Sequence, residues 1–133
     1  MGLVKSFKIR ARELVLELVP KYAIREKTVE SAVLDLLQAV ASLQDKYPTV
    51  LMKVRHETSF VLITGVGDIN VDVTADLAEV RIRVAVTNPT LRTNPARVAP
   101  VEIAHDLVNH LRRLGYEIVH VSIIVSFEKD FTR

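Results

Sequence analysis

From position 7 the chain alternates apolar and basic residues, Phe7-Lys8-Ile9-Arg10-Ala11-Arg12, with the period of two that marks a strand. Leu14, Leu16 and Leu18 alternate as well, but on the opposite parity, and a β-bulge near Arg12–Glu13 reconciles the two halves. Phe7, Ala11, Leu14, Val15 and Leu18 also fit a helical stripe. Residues 5–18 therefore carry both periods, and strand is the preferred reading. Pro20 ends the segment either way.

The next pattern is helical. Val29, Val33, Leu36, Val40, Leu43 and Tyr47 recur at steps of four and three, which lines them along one face of about five turns. Thr28 is placed to cap the first turn, Glu30 suits its dipole, and Pro48 stops propagation. Four strand-like runs follow, 50–56, 59–66, 68–75 and 78–86, separated by short turns, so an antiparallel meander is the economical arrangement. With Ala75 opposite Ala78, Asp72 falls across from Arg81 and Asn70 across from Arg83. A loop leads to a second helix that opens at Pro100, carries the stripe Ile103/Ala104, Leu107/Val108, Leu111 and Leu114, and closes at Gly115. Residues 117–127 make the last strand, with Val119, Val121, Ile123, Val125 and Phe127 on one side.

The resulting order is β-α-β-β-β-β-α-β. It predicts one α+β domain over residues 1–133, with a mostly antiparallel mixed sheet of about six strands and two amphipathic helices on one face. Both parities are apolar in Phe60–Ile63 and largely so in Ile118–Ile124. Helices cover only one face, so the other must curl over or meet another subunit, and a homodimer is the expected partner arrangement.

Composition narrows the class. A chain of 133 residues can bury about two thirds of its unfolded surface and needs no covalent staple. It has no cysteine, which excludes disulfides, thiolate catalysis and cysteine-ligated zinc or iron–sulfur centres. No stretch approaches the ~20 apolar residues of a membrane span, and Met1 to Lys8 lacks the apolar core of an export signal, so a cytoplasmic protein with no membrane partner is expected. Four Asn, two Gln and two Met are few, which leans toward a thermophilic source. Net charge is only +2, but it is patterned: +4 over residues 1–27, −3 over 28–86 and +1 over 87–133.

No motif commits the chain to a chemistry. Asp68, Asn70, Asp72, Thr74 and Asp76 share one side of a strand and resemble a cation ligand set, yet the glycine that a calcium loop needs is Val73, and a solvated strand face is preferred. Gly65-Val66-Gly67 lacks the third glycine and the helix of a dinucleotide site, which leaves a bend. Asp106 and His110 are four apart on a helix and form a candidate acid–base pair, with His120 on the last strand, expected to be partly buried, as a third candidate. The loop 87–100 repeats Thr-Asn-Pro at Thr87 and Thr93, has no acidic residue and carries Arg92 and Arg97, which with Lys8, Arg10 and Arg12 are the candidate nucleic-acid or phosphate ligands. No cofactor or metal is expected. The ranking that follows is a small oligomeric non-enzymatic binding or scaffold protein first, a nucleic-acid or phosphate-ligand binder using the arginine loop second, and a small enzyme with an inter-subunit acid–base site third.

Overall fold

The computed structural model describes residues 3–24, 26–65, 67–76, 79–87 and 100–132, with side chains for 12–23, 26–65, 67–75, 79–87 and 100–127. The elements are β1 (Leu3–Pro20), a 3-10 turn at Tyr22–Ile24, α1 (Val29–Lys46), β2 (Leu51–His56), β3 (Ser59–Ile63), β4 (Asp68–Asp76), β5 (Glu79–Thr87), α2 (Pro100–Arg113) and β6 (Tyr116–Thr132). The six strands form one open sheet in the order β2-β3-β4-β5-β1-β6, and all five pairings are antiparallel. β2 to β5 run as a meander. β1 then slots between β5 and β6, so the β5-α2-β6 connection steps over one strand, and α1 carries the chain from β1 to the far edge.

Both helices begin and end where the local chemistry requires. The Thr28 hydroxyl accepts the Ser31 N–H ahead of α1. Pro100 is the first residue of α2, and Gly115 follows it at φ 100°, where the Gly115 N–H donates to the Arg112 carbonyl. Ala32, Leu36, Ala39, Val40 and Leu43 of α1 and Ile103, Ala104, Leu107, Val108 and Leu111 of α2 are buried. They pack on Leu18, Leu62, Ile69, Val71, Ile82, Val84 and Val86 to make the core. The α1 face is rotated toward Ala32 and Ala39, leaving Val29, Val33 and Tyr47 partly buried at its margin. Among the described residues no helix is long and apolar enough to cross a membrane.

Segment one is a strand, and its bulge is where the parity flip demands one. Ala11 pairs with Val125 and Glu13 with Ile124, so Arg12 is the extra residue. A second bulge leaves Val119 unpaired, between Glu17 opposite His120 and Leu18 opposite Ile118. β3 stops at Ile63 rather than 66, because Thr64 bonds to the Gly67 carbonyl through its N–H and its hydroxyl, closing a turn with Gly65 at φ 84°.

The β4–β5 register keeps the expected faces but is displaced by two residues. Asp72 lies across from Arg83 and Asn70 across from Ala85, with Asp76 and Glu79 as the last pair. The connection is therefore 77–78, outside the described residues, and not 76–77. The arginines have other partners. Arg81 bonds to Glu17 and Arg83 to Glu13 on β1, each at 2.9 Å, while Asp72 accepts from Ser59. Glu13 pairs with Thr87 and Arg83 with Glu17, so the two lie four register positions apart, with Val15 and Ala85 between them on the same face. Their ion pair thus lies along these two residues, which are 4% and 3% exposed on the face away from the helices. Val61 on the same cross-sheet row is also buried, so β3 has no unclaimed apolar face, contrary to the expectation from Phe60–Ile63.

Candidate functional site

The exposed apolar surface is concentrated on β6. From Ile118 to Phe127 this strand exposes Ile118, Val119, Val121, Ile123, Ile124, Val125 and Phe127, with Ile123 at 57% and Phe127 at 65%. Geometry accounts for it. Seventeen residues of strand extend about 55 Å, whereas the fourteen residues of α2, which packs beside its start, cover about 21 Å. β1 shares six register pairs with β5, from Glu13 to Leu18, yet it pairs with β6 from Leu3 to Pro20. Among the described residues, β1 and β6 alone continue to pair on the N-terminal side of Glu13, as a two-stranded arm. Among the described residues β6 is also the last strand of the sheet, with no strand hydrogen-bonded to its outer side.

Two polar clusters fasten the helices. Asp106 on α2 accepts hydrogen bonds from the Tyr47 hydroxyl and, at 3.0 Å, from Lys46 Nζ, which also stands 5.3 Å from the Tyr47 ring centre. Burial acts to raise the Asp106 pKa, but the Tyr47 and Lys46 hydrogen bonds outweigh it and hold the carboxyl below its ordinary value. Tyr47 is pushed up, first by burial and then by its bond to Asp106. Lys46 is also raised, chiefly by the same carboxylate. An open depression of roughly 300 Å³ lies beside this cluster, lined by Lys46, Tyr47, Val101, Glu102, His105 and Asp106. The second cluster joins Asp35 on α1 to Lys27 and to the Tyr116 hydroxyl at 2.7 Å, with Lys27 Nζ 4.9 Å from the Tyr116 ring centre. Tyr116 is fully buried, and burial followed by the Asp35 bond raises its pKa far above the ordinary phenol range.

These contacts decide where the candidate residues stand. Asp106 is drawn across to α1 and away from acid–base partnership with His110, whose Nδ1 instead lies 3.5 Å from Arg113 Nη1. A carboxylate stabilised in its charged form by two donors is a weak proton acceptor near neutral pH. His120 is exposed rather than partly buried, on the last strand of the sheet among the described residues. Arg12 Nε donates to Ser126 Oγ at 2.8 Å across the bulge. Lys8 and Arg10 lie on β1 opposite Glu128 and Ser126, with their side chains outside the described set. Arg92 and Arg97 lie outside the described residues altogether, so their convergence with the arm is not in view. Among the described residues no group of three or more His, Asp or Glu side chains is gathered to hold a metal ion. On the polar face of β4, Asn70 Oδ1 is buried without a hydrogen-bond partner, as is Arg81 Nε on β5.

Sequence reasoning did not find the Lys46–Tyr47–Asp106 and Lys27–Asp35–Tyr116 clusters. Their members are 59 to 81 residues apart along the chain wherever they cross between elements, and no short spacing links them. Comparison with protein families, with curated proteins and with solved structures finds no match to this chain.

Proposed function

We propose that this protein is a small non-enzymatic binding or scaffold protein that works by self-association, most simply as a homodimer, with β6 as the contact surface. The observation that carries the proposal is the run of seven apolar side chains from Ile118 to Phe127, each between about one third and two thirds exposed, on the strand that ends the sheet among the described residues. Full burial of a Val, Leu, Ile or Phe side chain is worth about 1.5–3 kcal/mol, so burying the exposed half of seven contributes at most about 5–10 kcal/mol from each protomer, and a contact along the strand edge, which covers the flanks of these side chains, contributes a part of it. Two protomers together supply up to about 10–20 kcal/mol, of the same order as the roughly 4–15 kcal/mol that association costs. The part-buried carboxylates support the same view, since Asp35 and Asp106 are occupied in fastening helices.

The test is the mass in solution. Light scattering at micromolar concentration is expected to return about twice the 14.9 kDa chain mass, and Val121→Asp, which places a charge in the middle of the run, is expected to return the chain mass with unchanged far-UV circular dichroism. A wild-type protein that stays at the chain mass across this range overturns the proposal.

A further inference from the structure

We infer that the second copy adds edge to edge, β6 against β6 in antiparallel sense, on a two-fold axis through Ser122. The two six-stranded sheets then become one continuous sheet with the helices of both copies on one side. The inference rests on the self-association reading and says how the copies meet.

The choice of strand follows from a comparison of the two sheet edges. β2 is six residues long and carries Lys53, Arg55 and His56, and charges on a short edge strand discourage pairing. β6 is seventeen residues long, and from Ile118 to Phe127 it has no Asp, Glu, Lys or Arg. An edge of that length and composition is a template for a further strand, with backbone hydrogen bonds available along it and apolar side chains on both faces. Pairing β6 with β2 of another copy would be a head-to-tail contact that propagates, whereas β6 with itself closes at two.

The register follows from the faces. A two-fold axis perpendicular to the sheet preserves sides, so each residue must meet one on its own face, and the axis must pass through a residue. The bulge at Val119 matters here, because it puts Tyr116 and Ile118 on the helix side with Val121, Ile123, Val125 and Phe127, and puts Glu117 on the opposite side with His120, Ser122, Ile124 and Ser126. An axis at Val121 sets Glu117 against Ile124. An axis at Ile123 sets it against Glu128, and one at Ile124 against Asp130, both like charges. With the axis at Ser122, Glu117 meets Ser126, Val121 meets Ile123, Ile118 meets Val125, and the two Ser122 face each other. The axis at Ser122 pairs apolar with apolar on the helix side, as those at Val121 and Ile123 also do, and of the four it alone sets Glu117 against a neutral polar side chain.

The native chain has no cysteine, so single cysteines report the seam without background. Directly opposed residues of antiparallel strands have Cα atoms about 4.5–5.5 Å apart, inside the range a disulfide spans, while a diagonal pair lies at about 7–8 Å. Ser122→Cys is expected to convert nearly fully to a covalent dimer under mild oxidation, and Ile123→Cys to remain uncrosslinked alone. Mixing Ile123→Cys with Val121→Cys is expected to yield the mixed disulfide. If light scattering gives the dimer mass but Ser122→Cys does not crosslink, or Ile123→Cys crosslinks to itself, this register is overturned while self-association stands. If the wild-type chain is monomeric by light scattering, self-association falls, and the seam with it.

Discussion

Replacing Asp106 by Ala removes the acceptor shared by Tyr47 and Lys46, and the structure fixes both the size and the pH dependence of the consequence. The Tyr47 hydroxyl is partly buried and loses a bond to a charged acceptor, for which about 1.5 kcal/mol, the lower end of the range for such bonds, is appropriate because water can still reach the site. The Lys46 ammonium is fully exposed and adds no separate amount. For a chain of this length about 1.5 kcal/mol corresponds to a Tm lower by roughly 6 °C. The sign with pH follows from the depressed Asp106 pKa in the folded state. A carboxyl held below its unfolded value of about 4 stabilises the fold fully above that value, and the contribution is lost as pH falls through the folded pKa. Thermal melts followed by circular dichroism at pH 7 and pH 3, at one fixed protein concentration because association shifts Tm, should show a gap between wild type and Asp106→Ala that narrows in acid. No gap at pH 7, or one that widens at pH 3, would refute the assignment of Asp106 as a charged fastener between α1 and α2.

Two further substitutions probe the frame that holds β6. A Cβ on Gly67, which sits at φ 154°, would come within 2.9 Å of Pro100 Cγ at the start of α2, so Gly67→Ala is expected to destabilise by about 1–3 kcal/mol in urea unfolding, and an unchanged midpoint would show that the turn and helix yield freely. Tyr116→Phe keeps the buried ring but deletes the bond to Asp35, so a loss of about 1 kcal/mol is expected with the dimer mass unaffected, and full stability in the variant would remove this bond from the account of how β6 is anchored.

The parts of the fold that were legible are those written in short spacings. Thr28, Pro48, Pro100 and Gly115 mark helix ends through the backbone groups they satisfy or forbid, and α1 and α2 begin and stop within a residue or two of them. The parity change between Ala11 and Leu14 located a bulge that the structure places at Arg12. Alternation fixed which residues of β4 and β5 share a face, but alternation is blind to a slip of two, and only the turn decides that. What was not legible depends on partners distant in sequence. β6 runs five residues past Phe127, through Lys129 and Asp130, because β1 pairs with it there. His120 is expected from its strand to be partly buried, while its place on the last strand of the described sheet follows from the strand order, which no local pattern states. Nothing in the chain near Tyr47 points to Asp106.

Two of the three register shifts between β1 and β6, at Arg12 and at Val119, explain why so long a strand keeps a usable surface. Without the extra residue at Arg12, the positions of β1 that alternate with Leu14 and Leu16 would be the basic ones, and Lys8 and Arg10 would continue the helix-facing side of the sheet. With it, positions 7, 9 and 11 pair with 129, 127 and 125, so the helix-facing side of the arm continues the row begun by Leu14 opposite Ile123 and Leu16 opposite Val121. The bulge at Val119 acts at the other end, turning Tyr116 into the core while leaving Val121 and Ile123 on the same side beyond the helices. β6 is thereby anchored in the core at Tyr116 and presents a charge-free stretch, Ile118 to Phe127, at its free edge. The anchoring contacts and the exposed stretch lie on one strand that is hydrogen-bonded to β1 along its length, so little backbone entropy is left to lose when a second strand is added.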